Sequence, residues 1–147
     1  MKHLSSAKFT LWANRALLML LAVLAFALPK LLSWYQGFRP LGLHGAAAVF
    51  FGFYLCLIPV VLALLRIETL LKNILSGDVF IHGNVKLIRS VRSCCLIVAV
   101  ICVLAGLFYQ PLLFLSVIMG FLCLIVSVVM NVIAAAVEIR EENDLTV

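Results

Sequence analysis

Arg66–Arg92, RIETLLKNILSGDVFIHGNVKLIRSVR, is the only long stretch of the chain that is neither apolar nor terminal. Hydrophobic runs long enough to cross a bilayer flank it, so it has to join two membrane spans through water. It carries Arg66, Lys72, Lys86, Arg89 and Arg92, a density of cations that belongs on the cytoplasmic side of a membrane. That assignment orients everything on either side of it.

The composition agrees: 66% of the 147 residues are hydrophobic and 12% charged, which is outside the range of water-soluble globular domains. Four helices of roughly 20 residues, each matched to a hydrocarbon layer of ~30 Å, use up most of this length and leave no room for a soluble catalytic domain. The net charge of +5 is spread over helix ends, not gathered on one face or in a tail. It therefore reads as a topology signal, and no direct nucleic-acid binding is expected. Cys56, Cys94, Cys95, Cys102 and Cys123 all sit in or beside apolar runs without CxxC spacing. They read as small buried hydrophobes, with no metal or cofactor implied.

Outward from the connector, the pattern predicts an all-α polytopic membrane protein of four spans in an up-down bundle, at about 13–35, 45–68, 93–109 and 112–137. The cytoplasmic connector covers 69–92 and the cytoplasmic tail 138–147. The first span is bracketed by Trp12 and Trp34, which suit the two membrane interfaces. Ala25-Phe26-Ala27 imitates a signal-peptidase site, but apolar residues and an aromatic anchor continue past it, so the span is expected to stay. Pro29 and Pro59 are expected to kink their helices and free carbonyls that neighbours must satisfy. QGFRPLGLH at Gln36–His44 reads as a short outer loop, and Gln110-Pro111 as a tight outer turn.

Helical spacing of Ile67, Leu70, Leu71, Ile74 and Leu75 predicts that the second helix runs on past the membrane. Gly77 suits the left-handed conformation that ends it, Phe80 anchors the turn, and Asn84 is expected to cap the third helix. Counting cations gives nine on the connector side (Lys2, Lys8, Arg15, Arg66, Lys72, Lys86, Arg89, Arg92, Arg140) against Lys30 and Arg39 on the other. Both termini are therefore expected in the cytoplasm.

No span carries a central Asp, Glu, Lys, Arg or His, which coupled carriers use to bind and release charge. Neither a nucleophile with its base nor a phosphate-cradling loop is present, so no enzymatic activity is expected. Asn131 is the one strongly polar interior residue of the fourth span. An interhelical hydrogen bond is its simplest role, and a place on a transport path the alternative. The cations after Asn84 and the anions after Val137 begin at similar depth, where they pair with each other, meet lipid headgroups, or form a docking face. The docking candidates are Phe80, Asn84, Lys86, Arg89, Arg92, Glu141, Glu142, Asn143 and Asp144.

Two segments, GDVFIHGNVKLIRSV at Gly77–Val91 and AVEIREENDLTV at Ala136–Val147, resemble the bacterial membrane family known as domain of unknown function 2975. That family shows a G-x-P-F-S-x-E-N-x-x-R-L-R connector and a closing E-E-N-D-L-T-I. The tail matches from Glu141 to Thr146, with Val147 in place of Ile. The connector matches at Gly77, Phe80, Asn84 and Leu87, and loosely at Lys86 and Arg89. Val79, Ile81 and Gly83 depart from the pattern, and the last two remove its Ser/Glu capping box. The resemblance implies a multi-pass protein of the bacterial inner membrane and no particular activity. It also implies a soluble partner, a small helix-turn-helix regulator encoded nearby. The resulting expectation is a sensor or tether acting through the connector and tail; the alternative is a small transport component or accessory subunit. A homo-oligomer is compatible with either.

Overall fold

A computed structural model describes residues 2–77 and 82–145, with side chains from Lys8 onward except that of Asp144. Four helices follow in order: α1 (Lys2–Phe38), α2 (Leu43–Leu75), α3 (His82–Gly106) and α4 (Pro111–Leu145). Each is long and apolar enough to cross a membrane. At ~1.5 Å per residue they measure about 37–55 Å, more than the ~30 Å of a hydrocarbon core.

The helices alternate in direction. At one end α1 starts, α2 meets α3, and α4 finishes; His82 of α3 lies 2.8 Å from Glu141 of α4 there. At the other end the Tyr35 and Tyr109 hydroxyls are 3.3 Å apart. We call these the connector end and the turn end. Among the described residues α1 packs on α2, α2 on α3 and α3 on α4, while α1 and α4 do not touch. The up-down order expected from the sequence is present, but the ring is open and α1 is a flanking helix.

Local chemistry explains the breaks. The Ser76 amide donates to the carbonyl of Lys72 at 3.0 Å, and Gly77 follows at φ +90°, a left-handed conformation that costs glycine nothing. At the turn end α3 stops at Gly106, and Tyr109 and Gln110 accept the first turn of α4, into which Pro111 fits because its missing N–H needs no partner. A Cβ on Gly106 would stand 2.6 Å from Leu113 Cδ2 and 3.1 Å from the Leu113 backbone nitrogen, so a larger residue there forces Leu113 and the turn to shift.

Packing between spans uses small and polar groups, as expected where lipid offers no hydrophobic drive. Gly52 admits Ala105 of α3 at a distance of 3.3 Å from its would-be Cβ. Pro29, inside α1, has no N–H for the carbonyl of Ala25 four residues back. The Tyr54 hydroxyl of α2 donates to that carbonyl at 2.9 Å. Tyr54→Phe removes this bond while keeping the ring, and is expected to weaken α1–α2 association by about 0.6–1.7 kcal/mol. Unfolding in mixed micelles measures it, with unchanged stability counting against the role.

The contacts also set relative depth. The Arg92 carbonyl accepts a weak bond from Cys123 Sγ at 3.7 Å, and Asn14 donates to the Leu64 carbonyl at 3.1 Å. These bonds level Asn14 with Leu64 across α1 and α2, and Arg92 with Cys123 across α3 and α4. On the connector side of these levels Val85, Ile88, Met130 and Val137 form a buried cluster, with Leu70, Val126, Ile133 and Ala134 against it. The last part of the expected fourth span, Met130 to Val137, contributes to this cluster.

Candidate functional site

The connector end gathers the ionisable side chains. α2 brings Arg66 and Lys72, α3 brings His82, Lys86 and Arg89, and α4 brings Glu138, Arg140, Glu141 and Glu142, all exposed. His82 Nε2 meets Glu141 Oε1, so connector and tail form one surface. Both partners are more than half exposed, and an exposed pair adds little stability in high dielectric. The contact records proximity more than a latch.

The candidate residues divide. Lys86 and Arg89 are exposed on α3, and Glu141, Glu142 and Asn143 on the end of α4. Arg92 is half-buried, with its carbonyl turned to α4. Phe80 lies outside the described residues, as does the side chain of Asp144.

Two expectations need correction. Asn84 is only 1% exposed, so it offers no docking contact, and it sits inside α3, which already begins at His82. Its Oδ1 accepts from Asn73 Nδ2 of α2 at 2.7 Å. A buried amide needs such partners, and this one joins α2 to α3 just below the Gly77 turn. Asn131 is the second. It is exposed on α4, about 100° round the helix from buried Met130, and no interhelical hydrogen bond reaches it among the described residues. The interhelical bond expected for the one strongly polar interior residue of the fourth span is therefore not formed.

Three residues were missed by sequence reasoning. Glu68 Oε1 accepts from Arg15 Nε and Nη2, at 3.2 and 3.1 Å, and from Lys72 Nζ at 3.0 Å. Asn14 is buried at 6% exposure beside that pair. Together they hold α1 to α2. The available signal was positional: Asn14-Arg15 precedes the first apolar run and Glu68 follows the second, so an antiparallel hairpin brings them level.

An apolar cavity of about 290 Å³ opens between α2, α3 and α4, lined by Gly52, Phe53, Cys56, Cys102, Ala105 and Met119 among others. No ionisable carboxylate or amine reaches it. Among the described residues no three His, Cys, Asp or Glu converge as a metal-ligand set. What the polar end presents is a surface of cations and anions on adjoining helix ends.

Four apolar helices, each long enough to cross a membrane, define a multi-pass helical membrane protein. The chain belongs to the family described as "Protein of unknown function (DUF2975)", whose match covers residues 5–147. No curated protein and no solved structure matches it.

Proposed function

We propose that this protein is a non-enzymatic tether or sensor of the bacterial inner membrane, with its connector end in the cytoplasm and a soluble protein docked there. The observation that carries the reading is the joint surface of Lys86 and Arg89 with Glu141 and Glu142, brought together at His82 and Glu141. The excess of cations at this end supports the cytoplasmic orientation.

We set the outer edge of the bilayer at the level of Tyr35 and Tyr109. A ~30 Å core then takes about 20 residues along each helix at ~1.5 Å per residue, which reaches the region of Arg89 in α3 and Asn131 in α4. The inner boundary is then marked by Arg66, Arg89 and Arg92, and exposed Asn131 fits this placement, since at the boundary its amide meets water.

The family resemblance suggests a helix-turn-helix regulator as partner. Glu141 and Glu142 would compete with DNA phosphate for its basic surface, and a change in helix packing within the membrane would alter its release. Ending the chain after Glu138 removes that acidic tail. Pull-down from mild detergent is expected to lose the soluble partner with the truncated protein. Recovery of the same partner by both forms would overturn the reading. The transport alternative finds less support, because Asn131 lies on the outer side of α4 and not against the cavity.

A further inference from the structure

We propose that the turn end holds one anionic phospholipid, with its phosphate at Arg39 and an acyl chain laid into the apolar groove behind it. Three recesses follow one another there. The outermost, of about 490 Å³, is lined by Arg39, Gln110, Tyr35 and Tyr109 among others. It shares Tyr35, Leu41 and Tyr109 with a second recess of about 320 Å³, whose remaining walls include Leu28, Leu31 and Trp34 of α1. The second in turn shares Val49 with the apolar cavity between α2, α3 and α4. A polar mouth thus leads, through shared side chains, into an apolar interior, which is the division of an amphiphile. On α2 the interior lining runs from Val49 to Val60, about 16 Å at ~1.5 Å per residue, comparable with one leaflet of a ~30 Å core.

Charge decides the headgroup. The chain's acidic residues are Glu68, Asp78, Glu138, Glu141, Glu142 and Asp144, and none falls within 28–49 or 105–119, the segments that meet at the turn end. The counter-charge of Arg39 therefore comes from outside the chain. A guanidinium matches a phosphate with two parallel hydrogen bonds, and the Gln110 amide and the two tyrosine hydroxyls add donors at the same rim. A free anion would leave the apolar recesses unused, and a zwitterionic lipid brings its own cation beside the phosphate. Because α1 and α4 do not touch, the groove stays open sideways and the acyl chain enters from the bilayer. This step uses the outer bilayer edge proposed above at Tyr35 and Tyr109 and is independent of docking at the connector end.

The full chain with Trp12→Phe keeps Trp34, which lines the second recess, as its one tryptophan. In phosphatidylcholine liposomes, phosphatidylglycerol with brominated acyl chains is expected to quench Trp34 at an about fivefold lower mole fraction than brominated phosphatidylcholine, the advantage one cation gives an anionic lipid. Arg39→Gln is expected to remove that difference. Lys30→Gln, at an exposed cation of α1 outside the three recesses, is expected to keep it. In nonionic detergent, native mass spectrometry is expected to show one phosphatidylglycerol retained per chain, and less of it with Val49→Phe at the junction of the two apolar recesses. Inorganic phosphate is expected to displace none. Equal quenching by the two lipids, equal loss with Arg39→Gln and Lys30→Gln, or displacement by inorganic phosphate would each overturn the proposal. Quenching by neither lipid would remove the edge placement at Tyr35 and Tyr109 together with the site. No soluble partner is present in these experiments, so each of those failures leaves the docking reading standing.

Discussion

Asn84→Leu is expected to loosen the connector from the bundle and lower the stability of the whole connector end. Asn84 is 1% exposed, and its Oδ1 takes the Asn73 amide at 2.7 Å. Leucine strands that amide in a partly buried site and forces a branched side chain beside Val85 and Ile88. Leaving one buried polar group unsatisfied costs ~1–3 kcal/mol, more than the bond itself contributes. The melting temperature in detergent falls, and amide exchange accelerates over the end of α2 and the start of α3. Asn73→Leu alone is expected to behave similarly. The double substitution costs less than the sum, because two apolar groups replace a matched pair. Lys86→Ala, exposed two residues away, is the control and is expected to leave stability within about 0.5 kcal/mol. Unchanged exchange in Asn84→Leu would show that the pair holds nothing together.

The second large effect is expected for Asn14→Leu combined with Glu68→Gln. α1 packs only on α2 among the described residues, so the loss is not shared with a third helix. Asn14 donates to the Leu64 carbonyl, a bond between spans whose removal costs about 0.6–2 kcal/mol. Glu68 is the single acceptor for Arg15 and Lys72, and the neutral amide leaves two cations facing each other. Spin labels at Phe9→Cys and Thr69→Cys, both exposed sites, report the outcome. The distance distribution is expected to broaden in the double variant, while each single variant broadens less. A narrow distribution in the double variant would mean that apolar packing alone positions α1. The remaining turn-end contact of α1, the Tyr35–Tyr109 hydroxyl pair, is then expected to part as well.

These two clusters show where sequence reading stopped. Composition and the spacing of apolar runs were enough for four helices and their order, since a chain in hydrocarbon must satisfy its own backbone and has few ways to do so. The break at Ser76-Gly77 was legible because a left-handed residue after a helical pattern has one cheap solution. Pro29 announced a freed carbonyl, but not that Tyr54 would supply the donor. Asn84 looked like a cap because a polar residue before an apolar run usually is one. It became a buried bridge because α3 starts earlier and lies against α2.

Asn131 faces outward from α4, not toward another helix, for a related reason. Hydropathy along one helix measures how far apolar residues continue, not which side of it meets a neighbour. α4 stays apolar beyond the level of Arg92 because the buried cluster with Leu70, Val85 and Ile88 uses those residues. A span and a soluble helical core have the same composition, and only the neighbouring helices tell them apart.

The amino-acid order by itself therefore determined the class: four apolar helices joined by short turns, with cations massed at one end. These follow from the solvent preference of each segment taken alone. Tertiary structure decided which polar groups are locked inside the connector end and which face outward. Those outcomes depend on the register between helices, a property no single segment carries.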